Sequence, residues 1–282
     1  MGPTVVDWRD LSLGAGTFYR VTSVEGWEEL PPTRYDKQTR TRGHGAHPSP
    51  VWADERIVTV SGRCFSTADR DQVLIDLMAR MTLDGGEEPL TITLAGRTLT
   101  ASAQLLRAAP TLTAGQWGVG RFGWSAQWRC PDPLRYGPAQ PEQSTRLPTF
   151  GGGLAWPIFA ADGTLDWGAP GNPGQITLTN PGSADAPIQA KVVGAVPGGF
   201  EISADGDRIT YPVDVPAGQT IYLDTGDGTV MVEGTADRRT NLTRADWLTV
   251  PARGSLTLQF TGLGAYDPTA RLIVPGFQEV HW

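Results

Sequence analysis

The stretch Trp124-Ser125-Ala126-Gln127-Trp128-Arg129-Cys130-Pro131-Asp132-Pro133-Leu134-Arg135-Tyr136-Gly137 divides the chain into two differently built halves. Trp124, Ala126, Trp128 and Cys130 alternate with Ser125, Gln127 and Arg129, the period-two pattern of a strand that buries one face. Pro131 and Pro133 offer no amide hydrogen to a sheet ladder, and each drives the residue before it into an extended or turn conformation. The strand therefore leaves its sheet at Asp132. The polar, proline-dotted run 139–148 then reads as a linker.

Upstream of this seam the pattern is β with one helix. Val5–Trp8 and residues 18–24 read as strands around the turn Gly14-Ala15-Gly16, and Arg56–Phe65 as a strand with Val58, Val60 and Cys64 inward and a bulge at Gly62. A helix is predicted over 67–83, capped by Ser66 or Thr67, with Asp69 and Asp71 in its first turn and Gly85-Gly86 ending it. Val73, Leu74, Leu77, Met78 and Met81 form its apolar stripe, and Arg70, Asp76 and Arg80 a solvated face. Strands over 90–94, 98–106 and 120–128 follow, the first two joined by a hairpin at Gly96. The segment 34–54 breaks the pattern. It is a polar, irregular loop too long for a compact domain, and is expected to order against a partner through Arg34, Lys37, Arg40, Arg42 and Trp52.

Downstream, short runs at 176–179, 188–193, 200–202, 209–211, 221–224, Thr229–Val232, 256–260 and Arg271–Val274 are separated by turn residues. Asn180-Pro181-Gly182, Asp205-Gly206, Pro216-Ala217-Gly218 and Asp227-Gly228 supply the backbone angles for hairpins and crossings. This is the spacing of an antiparallel sandwich.

Charge and composition exclude several functions. Up to Pro138 there are 15 Lys and Arg against 15 Asp and Glu; from Ala139 onward there are 8 against 15, so the net charge of −7 lies in the second half. A nucleic-acid reader would carry a net basic patch instead. Cys64 and Cys130 read as buried apolar residues, the first ten residues show no secretory pattern, and no apolar run is long enough to span a membrane. The sequon Asn241-Leu242-Thr243 reads as chance. Asp224-Thr225-Gly226 matches the tripeptide of aspartic proteases, but that chemistry needs two carboxylates sharing a proton, and the motif occurs once beside Asp227-Gly228. It reads as a hairpin end. His44 and His47 have only Asp36, Asp54 and Glu55 as neighbouring ligand types, and His281 reads as exposed, so neither a metal site nor a catalytic site is expected. Trp8, Trp124, Trp128 and Trp156 are expected in cores or at the domain junction, and Trp27, Trp52 and Trp117 at an interface.

Several motifs in a fixed order carry a family resemblance. They are Arg56-Ile57-Val58-Thr59-Val60-Ser61-Gly62; the 124–137 stretch; Gly151-Gly152-Gly153-Leu154-Ala155-Trp156-Pro157; Ile176-Thr177-Leu178-Thr179-Asn180-Pro181-Gly182; Ile221-Tyr222-Leu223-Asp224-Thr225; and Asp246-Trp247-Leu248-Thr249-Val250-Pro251-Ala252-Arg253-Gly254-Ser255. In this order the chain resembles the distal tail proteins (Dit) of siphophages, the long-tailed phages, especially the minor tail proteins of actinobacteriophages. It departs at Leu272-Ile273-Val274-Pro275-Gly276-Phe277, where an Arg-bearing strand is expected. The resemblance implies a mainly β fold: an N-terminal β-barrel or sandwich-like ring domain with one α-helix (1–138), the linker 139–148, and a C-terminal galectin-like antiparallel β-sandwich (149–282).

It further implies a structural virion protein at the distal end of the tail, made in the host bacterial cytoplasm and without cofactor, enzymatic activity or membrane insertion. Six copies form a homo-hexamer ring at the baseplate hub. The tail tube protein lies above, the tail-tip hub or tail-associated protein and the receptor-binding components lie below, and genomic DNA passes only in transit. The number six comes from the resemblance alone. The competing reading is a lectin-like module for host-surface attachment, in which Trp247 stacks on a sugar beside Arg239, Asn241 and Asp246. Against it, a Trp followed by Leu248 and Val250 fits a core or subunit contact.

Overall fold

The computed structural model describes residues 4–65, 69–83, 85–151, 163 and 170–282. The chain divides into two compact units, Met1–Pro138 with His281–Trp282, and Ala139–Val280. The first contains strands β1 (Val5–Trp8), β2 (Leu11–Gly14), β3 (Tyr19–Glu25), β4 (Thr33–Tyr35), β5 (Val51–Ala53) and β6 (Arg56–Phe65), then helix α1 (Arg70–Arg80). Strands β7 (Glu88–Leu94) and β8 (Arg97–Thr111), helix α2 (Ala114–Gly118), and strands β9 (Arg121–Cys130) and β10 (Arg135–Tyr136) complete it.

One antiparallel sheet runs β2-β1-β7-β8-β9-β6-β3. Strand β8 serves both halves: Arg97 to Ala103 pair with β7, and Gln104 to Thr111 pair with β9 across a register shift between Leu105 and Arg107. Such a bulge bends a strand and increases its twist. The sheet curls until its end strands β2 and β3 touch, which gives a barrel-like body. Inward positions hold Trp8, Trp128, Val60, Ile92, Leu99 and Phe122, all at most 1% exposed. Trp8 meets Trp128 edge to face at 6.0 Å, a favourable geometry for aromatic pairs. Val73, Leu77 and Met81 of the α1 stripe join this core.

Several local expectations change. Helix α1 starts at Arg70 with Asp69 in the N-cap position and closes at Met81, whose amide donates to the Leu77 carbonyl. It starts later and ends earlier than 67–83, with Met81 leaving helical geometry (φ −93°, ψ 65°) before the glycines. The expected caps Ser66 and Thr67, and Trp156, lie outside the described residues. Its polar face is exposed at Asp76 and at Arg80, which donates to the Asp10 carbonyl (2.6 Å), while Arg70 is half-buried, donating to the Trp117 carbonyl (2.6 Å) and lying over that ring. A second helix, α2, went unpredicted because a single Gly-containing turn has no apolar period.

Strand β6 pairs with β9 through Gly62 without a break, and the bulge lies in the facing strand, between Val21 and Ser23. Glycine is required at 62 because a Cβ there would stand 2.3 Å from the Trp124 ring.

In the second unit, a six-stranded sheet is formed by Gln143–Arg146, Arg271–Val274, Gln189–Val193, Thr220–Asp224, Thr229–Val232 and Ala236–Asp237, in that order. A five-stranded sheet holds Gln175–Asn180, Gly254–Gly262, Phe200–Ala204, Asp207–Tyr211 and Arg244–Ala245. Ala190, Leu223, Ile202, Ile209 and Leu258 of the two sheets line one interior void. Asp205 (φ 51°) and Gly206 (φ 98°) make the tight hairpin expected of them. The run 139–148 is not a free linker, since Gln143–Arg146 pairs with Arg271–Val274 as an edge strand with Thr145 buried and Ser144 and Arg146 exposed. His281, expected to be exposed, is buried, because the last two residues rejoin the first unit.

Two buried arginines fix the loop between β3 and β4. Arg56 donates to the carbonyls of Gly26 (2.8 Å), Trp27 (3.0 Å), Glu29 (2.6 Å) and Pro133 (2.9 Å). Arg135 pairs with Glu28 at 3.2 Å, lies over the Trp27 ring at 5.5 Å, and donates to the Trp282 carbonyl. Trp27, expected at an interface, is therefore 1% exposed. Burial pushes the Arg56 guanidinium down to about 10, with neighbouring Arg135 acting the same way.

Partial burial acts to raise the Glu28 carboxyl, but Arg135 and Arg97 outweigh it and hold the group below its ordinary 4.5. A depressed carboxylate contributes stability above its unfolded pKa and loses it as pH falls through the folded one. Urea unfolding across pH should therefore show Glu28→Gln less stable than wild type above about pH 4.5, with the difference shrinking in more acid solution. Arg56→Met, which leaves four carbonyls without their cation, should cost about 3 kcal/mol by the same measurement.

Candidate functional site

The segment 34–54 is a two-stranded ribbon, not an irregular loop. Its legs β4 and β5 pair antiparallel with Thr33 opposite Ala53, Arg34 opposite Trp52 and Tyr35 opposite Val51. The ladder continues outward through the His47 amide to the Gln38 carbonyl (2.8 Å), the Arg40 amide to the Gly45 carbonyl (3.3 Å), and a bridge from Thr39 to Ala46. Gly43 (φ 97°) and Gly45 (φ 95°) turn the tip, a conformation side chains disfavour. The sequence hid this because mirrored β-formers, Thr33-Arg34-Tyr35 and Val51-Trp52-Ala53, are separated by polar residues with no apolar alternation.

Every residue singled out on this arm is exposed: Arg34, Lys37, Arg40, Arg42 and Trp52, the last at 62%. Sequence reasoning missed Tyr35 and Val51, exposed at 59% and 63%. Because cross-strand partners share a face, Arg34 and Trp52 point to one side of the ribbon and Tyr35 and Val51 to the other. Both sides thus present large apolar surface to solvent. The segment 34–54 carries four cations and two carboxylates, Asp36 and Asp54, on a chain of net charge −7. An isolated two-stranded hairpin is marginal in water, and this one lies outside the main sheet of its unit. It is an exposed element with apolar residues on both sides and an excess of positive charge.

The sugar-binding candidates come together, but in a closed arrangement. The Arg239 guanidinium lies over the Trp247 ring at 5.5 Å, and Gly228 backs the ring so closely that a Cβ would stand 3.1 Å from it. Asn241 donates to the Tyr211 hydroxyl (3.3 Å), and Asp246 accepts from the Arg208 amide (3.1 Å) and from Arg244 (2.6 Å). The stacking face and its polar neighbours are engaged within the chain.

Other polar candidates are also structural. Asp224 accepts from the Gly226 amide (2.8 Å) and the Gln189 side chain (2.8 Å), and buried Thr225 accepts from the Ile188 amide (2.8 Å), which makes Asp224-Thr225-Gly226 a strand end. His44 and His47 lie on the arm, and among the described residues no three His, Cys, Asp or Glu cluster as metal ligands. Cys64 and Cys130 are buried, which raises their thiols to about 11 and about 12. Trp52→Ala should leave stability within about 0.5 kcal/mol in urea unfolding, while Gly62→Ala, which drives a Cβ into Trp124, should cost about 1–3 kcal/mol.

No family model and no curated protein matches the chain. Among solved structures it is similar to the SPP1 Dit (gp 19.1) protein, at TM-score 0.66 and 15% identity with 98% of each chain covered. Baseplate structures of phage P2 in the activated conformation, with Ca and with Sr, align at TM-scores 0.45 and 0.44 and 10% identity, over 98% of this chain and 97% of theirs. Across 98% of its length, this chain has the fold of the SPP1 Dit protein.

Proposed function

We propose that the chain is a structural subunit of a siphophage tail tip, a distal tail protein that assembles into a ring at the baseplate hub. The full-length fold match carries this reading, because the matched protein is described as a paradigm of the hub adsorption apparatus in phages that infect Gram-positive bacteria. In this reading the first unit builds a homo-hexamer, and the galectin-like second unit projects outward. The tail tube protein docks above; the tail-tip hub and receptor-binding components dock below. DNA crosses the lumen without being held, for which a chain of net charge −7 is suited. The role is structural, at the distal end of the virion tail.

The exposed arm supports the ring. Its two apolar sides need cover, and its excess of positive charge disfavours arm-to-arm pairing while favouring an acidic neighbour. Contacts between unlike surfaces of identical subunits close into rings when the rotation permits. Light scattering behind a sizing column, with negative-stain imaging of the same peak, tests the reading. The wild type should give a mass near six times 30.2 kDa and particles with a central hole. Replacing residues 37–48 by a two-residue Asn-Gly turn should give a folded monomer. A wild-type monomer at all concentrations, or full rings without the arm, contradicts the proposal.

A further inference from the structure

The outer surface of the first unit's sheet is divided by charge. On the half built from β3, β6, β9 and the end of β8, outward positions carry Arg20, Arg63, Arg107 and Arg121, all exposed, against one exposed carboxylate, Glu25, at the end of β3. Arg20 and Arg63 are cross-strand partners, and Phe65 and Arg121 are partners in the adjoining row. Phe65, 41% exposed, has the Arg20 guanidinium at 5.6 Å and that of Arg121 at 5.3 Å from its ring. Among the described residues none of the four arginines pairs with a carboxylate. Beside them the face is flat, with Ser61, Ser125 and Ala109 in one cross-strand row.

The other half, β2, β1, β7 and the start of β8, has the opposite character. Thr91 bonds Thr100 (2.9 Å) and Thr93 bonds Thr98 (2.8 Å) across its outward surface. Asp7 accepts from Ser12, and Glu87 accepts from Ser102 (2.8 Å). Asp132 flanks the same surface, held by the hydroxyl of Tyr136, the cross-strand partner of Thr100. The two halves enclose one core, with Trp8 of β1 against Trp128 of β9, so their outer faces look in opposite directions.

We infer that these faces are the two sides of one head-to-tail contact, in which the arginine face of one copy docks on the carboxylate and hydroxyl face of the next. The inference deepens the ring reading and rests on it. Charge complementarity selects a second copy as the occupant: three carboxylates on one face meet four unpaired guanidiniums on the other, and like faces repel. Two different surfaces in contact make the association heterologous, the kind that closes into rings or runs on as filaments. Each face is four strands wide, on the order of 20 Å by 17 Å, or roughly 350 Å². A stable interface buries about 800 Å² per partner, so the arm must supply the remainder, and the faces set orientation.

The test mixes two charge-reversed full-length chains, R63E/R121E and D7K/E87K. Each alone brings like charges together and should assemble at least tenfold more weakly than wild type by light scattering. An equimolar mixture presents a matched pair at every junction and should regain wild-type assembly with the two chains alternating, as native mass spectrometry would read. R20E and T98K, at exposed positions, repeat the test if either pair disturbs the circular dichroism spectrum. Wild-type assembly by one variant alone, or a folded mixture that stays monomeric, overturns the pairing of faces. In both cases the ring reading survives, provided the wild type still forms rings. A reversed arginine face that loses duplex DNA binding while assembly is unchanged also overturns it.

Discussion

Arg56 and Arg135 open β6 and β10 and reach from these strands into the irregular loop after β3, which has no ladder of its own. An arginine 1% exposed is expensive unless its donors are met, and Arg56 spends them on four carbonyls from two loops that are far apart in sequence. Gly26 makes this possible: it adopts φ 76°, and a Cβ would stand 2.0 Å from the Ile57 carbonyl, so the loop turns tightly against β6. Arg135 then covers Trp27 and holds Glu28. The arm leaves the body at the end of this loop, and the Asp54 amide closes its base on the Pro32 carbonyl at 2.7 Å. The buried cations therefore set the point and direction from which the exposed ribbon departs.

The same unit combines a dense core with an uncovered projection. Trp8, Trp124, Trp128 and Phe122 fill the curled sheet, while Trp52, Tyr35 and Val51 lie in solvent on both sides of a two-stranded ribbon. Burying a large apolar side chain is worth about 1.5–3 kcal/mol, a gain these three forgo in the isolated chain and would recover in the proposed ring. In the proposed ring, stability lies in the barrel-like body and assembly in the surfaces that project from it.

Much of this was legible from sequence. The alternation from Trp124 to Cys130 and the prolines after it mark the central strand and the end of the first unit, and the Asp205-Gly206 and Gly96 turns fall at hairpins. The helix stripe from Val73 to Met81 identified the buried face correctly. What stayed hidden depends on partners distant in the chain. An arginine reads as surface until its carbonyls are known, as with Arg56; Trp27 reads as a turn residue until Arg135 covers it; and Gly62 reads as a bulge until Trp124 is seen against it. The ribbon was hidden because exposed strands carry no burial alternation. Trp247 looked like a platform because nothing in its neighbourhood shows that Arg239, eight positions earlier, lies on the ring.

In the proposed ring, the arm is the element that a neighbouring copy would cover. Hydrogen–deuterium exchange of the 33–53 amides, compared between dilute chain and the purified oligomer, reads that cover directly. The account predicts rapid exchange throughout the ribbon in the dilute chain and strong protection in the oligomer, with the β8 and β9 core slow in both. An oligomer whose ribbon exchanges as fast as in the isolated chain would contradict it.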